Sequence, residues 1–426
     1  MGSFFFVTYR KPRPEIYKTI PIHSMYQSTN QLPKELEFIL CSIRPQLNHQ
    51  SLERIIKLAG KIDDWEYIIK TASFQKVMPL LYQNLKINCP HVVPKKVLER
   101  MRVYSVTNAR RNLFFSHELL KIINLFEEQS IIAIPFKGPI LAQSLYSDIS
   151  MRLFSDLDIL VSKKDVKKAI WILSSIGYNP AAKLTSEQLK VYMNSEYSIV
   201  FFKDNSNNVV DLHWELTGRY SPYSFDLELL ESRLDTTVFM ERRVYQPSSE
   251  DLLLYLCIHG SKDCWRNLDG IASVSKLIFS RSDIDWARLE KRAKYLHCGR
   301  ILHVGLFLAA RYFCVTLPEN IKKGVDEDPM VKTIAMEVTR NLFSDKFNLN
   351  KGEENTNFSI FHLKVKDKMA DKISYLISLI FKPTRYEWKC FCLPSRISFL
   401  YYLLRPCLLA FGTLKLIVNR SHTKTS

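Results

Sequence analysis

Two short stretches hold the residues best placed for chemistry. The first reads Arg152-Leu153-Phe154-Ser155-Asp156-Leu157-Asp158-Ile159-Leu160-Val161. In an extended strand, residues two apart point to the same side. Asp156 and Asp158 therefore present two carboxylates on one face, at the start of an apolar run. Neighbouring carboxylates repel, and each is costly beside aliphatic side chains unless a cation compensates. A hard divalent ion such as magnesium does so, taking a carboxylate or two and completing its shell with water and phosphate oxygens. The second stretch, Val209-Val210-Asp211-Leu212-His213-Trp214-Glu215, puts Asp211, His213 and Glu215 on one face and Val210, Leu212 and Trp214 on the other. If the two strands are neighbours, three carboxylates converge, and two metal ions could clamp an attacking hydroxyl and nucleotide phosphates. The residues also fit blander readings. D-x-D occurs in caps and turns, and the second stretch fits an amphipathic strand with a wet acidic face.

Lys137-Gly138, ahead of the first pair, supplies a phosphate side. Glycine lets backbone approach a ligand closely, and a helix start beyond it offers free N–H groups and a positive dipole end. Lys137 is a point charge for a phosphate, and Arg152 could clamp a second one. A plain strand-to-helix turn with a solvent-facing lysine fits the same residues. His213 could contact substrate or orient Asp211, and both readings stay open. His259, with Lys262 three residues on, could be a ligand or base. Packing beneath an α/β unit accounts for it better.

The elements that must position these residues follow from periodicity. Apolar residues at helical spacing run from 32 to 130, with faces at Leu36, Leu40 and Ile43, at Ile55, Ile56, Leu58 and Ala59, and at Leu113, Leu119, Leu120, Ile123 and Phe126. Pro94 suits the first turn of a long helix. At 131–136 the texture changes to a buried strand, broken by Lys137-Gly138-Pro139. A helix is expected at 140–146, a strand at 157–161, and a helix at 166–176 capped by Asp165 and ended by Gly177. Strands at 197–202 and 209–216 flank a polar hairpin loop at 204–208. The order is that of a compact α/β unit. Helices resume after the Ser248-Ser249 cap, Lys351 to Asn357 reads as a linker, and the remainder is basic and apolar, interrupted by Pro383, Pro394 and Pro406.

Residues 131 to 216 resemble the nucleotidyltransferase superfold: a glycine turn after the first strand, a helix, D-x-D on the second strand and a third Asp on a later one. More narrowly, the chain resembles the uncharacterised bacterial nucleotidyltransferase family known as NTP-transferase type 5. The residues behind this are Lys137-Gly138, Leu145-Tyr146, Arg152, Asp156 through Val161, Gly177-Tyr178 and Asp211-Leu212-His213-Trp214, with weaker echoes at Arg111-Asn112, His259, Lys262, Trp265 and Leu400 through Pro406. The resemblance implies an α+β fold, in which an α/β core with a mixed sheet is flanked by mainly helical regions. The expected divisions are an arm at 1–30, a helical region at 31–130, the core at 131–245, a helical domain at 246–350 and basic apolar helices at 351–426. It further implies magnesium-dependent transfer of a nucleoside monophosphate from a triphosphate such as ATP to an acceptor hydroxyl. Asp156, Asp158 and Asp211 would be the catalytic metal ligands for two Mg2+ ions. Lys137, Gly138, Arg152 and Ser155 would bind nucleotide, and His213 could contact substrate. Two departures stand out. Lys137-Gly138 replaces the superfold's usual Gly-Ser turn, and Ser273 sits where the narrower family often has an acidic residue on the helix after Trp265. The alternative is a catalytically silent protein of the same fold that binds nucleotide or nucleic acid.

Composition narrows the classes without choosing among them. At 426 residues and 46% apolar content the chain can bury more than one core, which argues against wholesale disorder. Its 60 Lys and Arg against 43 Asp and Glu leave +17, which attracts nucleotides, nucleic acid or an acidic membrane face. The nine cysteines form no C-x-x-C pair, so buried thiols in a reducing cytosol are expected rather than a zinc ribbon. Walker-A, zincin and nucleophile-elbow patterns are absent. Phe4 to Val7 is too short for a signal peptide and its basic residues follow it, so a cytoplasmic protein is expected. The apolar runs at 397–404 and 408–418 are split by Arg405-Pro406 and by Lys415, which argues against an integral anchor. Helices packed on the catalytic domain account for them better than an interfacial helix on an anionic membrane, which remains the second reading.

Overall fold

The computed structural model describes residues 32–204, 208–218, 225–343, 360–391 and 393–410. The arm at 1–30, the tip 205–207 of the expected hairpin loop, the linker at 351–357 and the apolar stretch past 410 lie outside the described residues. The fold is α+β: a mixed five-stranded sheet carried by helices on both sides.

The sheet has the order β1-β2-β5-β4-β3, with β1 Ile134–Pro135, β2 Leu157–Leu160, β3 Tyr178–Pro180, β4 Ser198–Lys203 and β5 Val209–His213. β2 and β5 run parallel, and the other pairs run antiparallel. Of the expected strand at 131–136, only Ile134 and Pro135 join the ladder. The strand expected at 209–216 ends at His213, where Trp214 and Glu215 both turn their N–H groups to the Tyr197 carbonyl.

Alternation decides which face meets which layer. Leu157, Ile159, Val210, Leu212 and Trp214 are fully buried, against Phe115, Leu119, Ile123 and Phe126 of the helix Lys95–Glu128 and Ile172 and Leu173 of the helix Val166–Ser175. Burial of such side chains is worth about 1.5–3 kcal/mol each. A one-residue slip of β5 would exchange Leu212 for Asp211, so the apolar face fixes where the carboxylates point. The opposite face, with Asp158, Leu160, Asp211 and His213, looks toward the helix Ser249–Lys262. Phe136 meets Tyr255 of that helix edge-on at 5.2 Å.

Several local expectations are refined. The long helix begins at Lys95 with Pro94 just outside it. Its buried stripe runs through Asn108, Asn112, Phe115, Ser116 and Leu119, which leaves Leu113 outside the stripe and exposed. Ile56 likewise faces solvent beside the buried Ile55, Leu58 and Ala59. Asp165 makes no side-chain cap, whereas Gly177 takes the left-handed φ of 85° expected after a helix. Two features carried signals that periodicity missed. Thr185 and Gln188 form a reciprocal capping box that starts the helix Ser186–Ser195. β6 Asp235–Phe239 and β7 Arg242–Gln246 form a separate hairpin, turned by Met240 and Glu241 at positive φ of 46° and 66°.

Candidate functional site

The parallel register of β2 and β5 sets Asp158 directly beside Asp211, and Leu160 beside His213. Ligand atoms of Asp158, Asp211 and His213 all lie within 4.8 Å of one another, a group that could hold a metal ion. Asp156 precedes β2 and stands outside that group. It is half-buried on the same side, and its carboxyl is pushed up, first by burial and then by the charge of Asp158.

The buried charges hold each other. His213 Nε2 lies 3.2 Å from Asp158 Oδ1 and 3.3 Å from Asp211 Oδ2. Burial alone would lower its pKa, but Asp211 and then Asp158 outweigh this and raise it to about 9, so the ring is an imidazolium at neutral pH. Lys137 Nζ donates to Asp158 Oδ1 at 3.0 Å. Burial would push the Asp158 carboxyl up, yet Lys137 and His213 hold it well below the usual carboxylate range. Asp211 is pulled to about 2 against its burial, by His213 first and Arg385 after it.

One acceptor is left over. Asp211 Oδ1 is buried and accepts no hydrogen bond; the Arg385 guanidinium stands 3.6 Å away. A buried carboxylate oxygen without a donor is costly. The orphaned oxygen and the two carboxylates on adjacent strands fit a hard divalent ion, and the His213 ring could join them only on giving up its proton.

The expected phosphate-side residues fall in different places. Gly138 starts the helix Gly138–Tyr146 at a φ of 53°, and a β-carbon there would come 3.4 Å from the Asp156 carbonyl oxygen. The glycine therefore lets the turn and the Asp156 backbone approach each other. Lys137 rests over the rings of Phe136 and Tyr255, at 5.6 and 5.7 Å. Ser155 is exposed at the same loop. Arg152 is nearly buried, and its Nε and Nη2 reach the two oxygens of Asp269 at 3.3 and 2.7 Å. It is thus a strut between the Asp156 loop and the helix Leu268–Ser280. The acidic residue of that helix is Asp269, one turn before Ser273, whose hydroxyl donates to the Asp269 carbonyl.

Other residues complete the surroundings. Asn108 donates to the carbonyls of Ser150 and Arg152, Asn112 to those of Ile149 and Arg152, and Arg111 to that of Phe154. These three pin the loop that presents Asp156. Polar side chains four apart on the buried stripe of a long helix were the available signal. Lys262 donates to the Tyr197 hydroxyl at 2.9 Å, and the Tyr197 ring lies 5.7 Å from that of His213. Gly218, at a φ of 53°, keeps that ring in place, since a β-carbon would meet it at 2.3 Å. His259 stacks on Tyr255, and burial together with Lys137 and Lys262 holds its pKa well below normal. Arg385 comes from the short helix Arg385–Cys390, far along the chain, and donates to the Ser198 hydroxyl beside Asp211. Nothing local in the sequence separates it from the other cations of the basic C-terminal stretch.

A family model described as an uncharacterised nucleotidyltransferase matches residues 62–314, a stretch that holds every residue of this site except Arg385. No curated protein and no solved structure gives a match. With more than half of its length matched, the chain belongs to this family of uncharacterised nucleotidyltransferases.

Proposed function

We propose that the chain transfers a nucleoside monophosphate from a nucleoside triphosphate to an acceptor hydroxyl and releases pyrophosphate. The observation that carries this reading is the in-register pair Asp158 and Asp211, with its orphaned buried oxygen. Asp158 and Asp211 hold magnesium, and the half-buried Asp156 extends the carboxylate set toward a second ion. A bound ion neutralises charge on the phosphates and polarises the acceptor oxygen. The chain's own residues do the rest. Lys137, Lys262 and Arg385 converge on the site as cations for the triphosphate tail, and the Gly138 helix start offers free N–H groups. The acceptor oxygen bonds to the α-phosphorus, the bridge to the β-phosphate breaks, and the hydroxyl proton passes to Asp211.

The test supplies each α-labelled nucleoside triphosphate with magnesium and cell extract and follows the label. Label on an acceptor with the wild-type chain, and none with Asp158→Asn, is expected. Triphosphate binding without transfer would sink the reading. It would instead support the silent binding protein, which the pairing of Asp158 with Lys137 and His213 favours.

A further inference from the structure

The helix Met369–Phe381 is turned inside out. Its only buried side chains are Asp371 and Tyr375, one turn apart. Both polar tips are satisfied on the protein side: Asp371 lies 3.0 Å from His297 Nδ1, and the Tyr375 hydroxyl 3.1 Å from His362 Nδ1. The other face shows Met369, Ile373, Leu376, Ile377, Ile380 and Phe381 to solvent at 42–68% exposure. These recur at i, i+4, i+7 and i+11, which makes one continuous apolar stripe. A helix that met only water would bury this stripe and expose its carboxylate, so the arrangement calls for an apolar covering.

Charge says which covering. Lys368 and Lys372 stand at one end of the stripe and Lys382 at the other. From Lys372 to the last residue the only acid is Glu387, which is buried against Arg405 at 2.7 Å. The same span holds nine lysines and arginines. Phe399 and Leu403 farther along are exposed as well. At 13 residues the helix is about 20 Å long, and no helix among the described residues is long and apolar enough to cross a membrane. An apolar stripe framed by cations and lacking exposed acids matches the plane of an anionic bilayer. We propose that Met369–Phe381 lies in the interface of a membrane rich in anionic phospholipid, stripe inward, and holds the protein there as a peripheral partner.

The experiment is co-sedimentation of the full chain with vesicles of phosphatidylcholine alone or mixed with phosphatidylglycerol. The wild type is expected to pellet with the mixed vesicles, less so as salt rises, and to stay in solution with the neutral ones. The double variant Ile373→Asp, Ile377→Asp changes only exposed positions. It is expected to keep its melting temperature and its stabilisation by divalent ions, and to lose about tenfold or more in partitioning. Wild-type protein that stays in the supernatant with mixed vesicles at low salt would overturn the proposal. So would a double variant that pellets as well as the wild type, which would place the contact elsewhere in the chain. A dimer that the double variant abolishes, without vesicle binding by the wild type, would assign the stripe to a second copy. Vesicle binding that appears only on deletion of 411–426 would assign it to the chain's own end.

Discussion

Two buried carboxylate clusters in this molecule look alike in composition and differ in closure. At the start of the helix Ser249–Lys262, Asp251 is almost fully buried and every oxygen is matched. Arg233 Nε and the Ser248 hydroxyl meet Oδ2 at 3.0 Å each, and Arg292 meets Oδ1 at 2.9 Å. At the sheet, Asp158 is equally buried and paired, but its neighbour Asp211 keeps a buried oxygen with no donor. Asp156 makes no hydrogen bond or ion pair among the described residues. A structural ion network saturates its acceptors, because an unsatisfied buried one is costly. A binding site leaves acceptors for its ligand. The contrast is therefore the physical reason to regard the sheet cluster, and not the equally charged helix cluster, as functional.

The sharpest way to break this contrast is Asp158→Asn. Transfer should fall by at least about 10^2–10^3-fold, since a neutral amide is a poor magnesium ligand and stabilises no charge. The same change leaves Lys137 and His213 short of a buried counter-charge. A stability loss of about 3–5 kcal/mol should appear in denaturant titration. Asp251→Asn should cost a similar ~3–5 kcal/mol by breaking its pair with Arg233 and Arg292. It should nevertheless leave the rise in melting temperature on adding Mg2+ or Mn2+ unchanged. If the divalent-ion response vanished in Asp251→Asn but survived in Asp158→Asn, the assignment of the two clusters would be reversed.

A smaller effect is expected at Arg385, which lies outside the family match. Its guanidinium sits 3.6 Å from the orphaned oxygen of Asp211, where a metal ion and a cationic side chain compete for the same negative charge. Arg385→Gln should tighten divalent-ion binding in the absence of nucleotide. It should also weaken triphosphate binding by about tenfold, through loss of a charge-assisted contact to phosphate. Calorimetric titration of each ligand separates the two signs. Parallel losses of both affinities would show that Arg385 only braces the strand.

These residues also show where the sequence was legible. The face on which Asp211 lies could be read in advance because Val210, Leu212 and Trp214 must be buried and alternation then leaves it no choice. Its place beside Asp158 depended on the two strands being neighbours, which the parallel register supplies. The α/β unit between helical stretches and the glycine turn at 138 followed from short-range pattern, and the resemblance then implied the α+β class. Arg385 and Asp269 could not be found so. Each reaches the site across more than 100 residues of chain, and a cation in a basic segment or a carboxylate at a helix start looks the same whether or not it meets a partner. Asn108 and Asn112 were readable in principle, because two amides on the buried stripe of a helix must find acceptors. The sheet edge at Tyr178–Pro180 was hidden by its composition, since Asn and Pro argue against a strand and are tolerated only at an edge.

The smallest expected effect concerns a second comparison, between two buried histidines. His213 is held charged by two carboxylates, whereas His362 is held neutral. Burial lowers the pKa of His362 and outweighs the opposing pull of the Lys262 carbonyl, 2.9 Å from its Nε2; Lys366 adds a smaller lowering and Asp263 a smaller rise. Its other nitrogen meets the Tyr375 hydroxyl, one of the two anchors of the helix Met369–Phe381. The sign follows from linkage. Above the unfolded value of about 6.5 both folded and unfolded chains carry a neutral ring, and this group adds no pH dependence. As pH falls below that value, the unfolded chain takes up the proton first and stability drops, until the lowered folded pKa is passed and the loss levels off. Melting curves between neutral and mildly acidic pH should therefore show a modest decline that His362→Gln reduces. Amide protection, corrected for the slower intrinsic exchange at low pH, should fall most in Met369–Phe381 on acidification, because the proton enters beside its Tyr375 anchor. An acid response identical in the wild type and in His362→Gln would mean that the docking of this helix does not depend on a neutral ring.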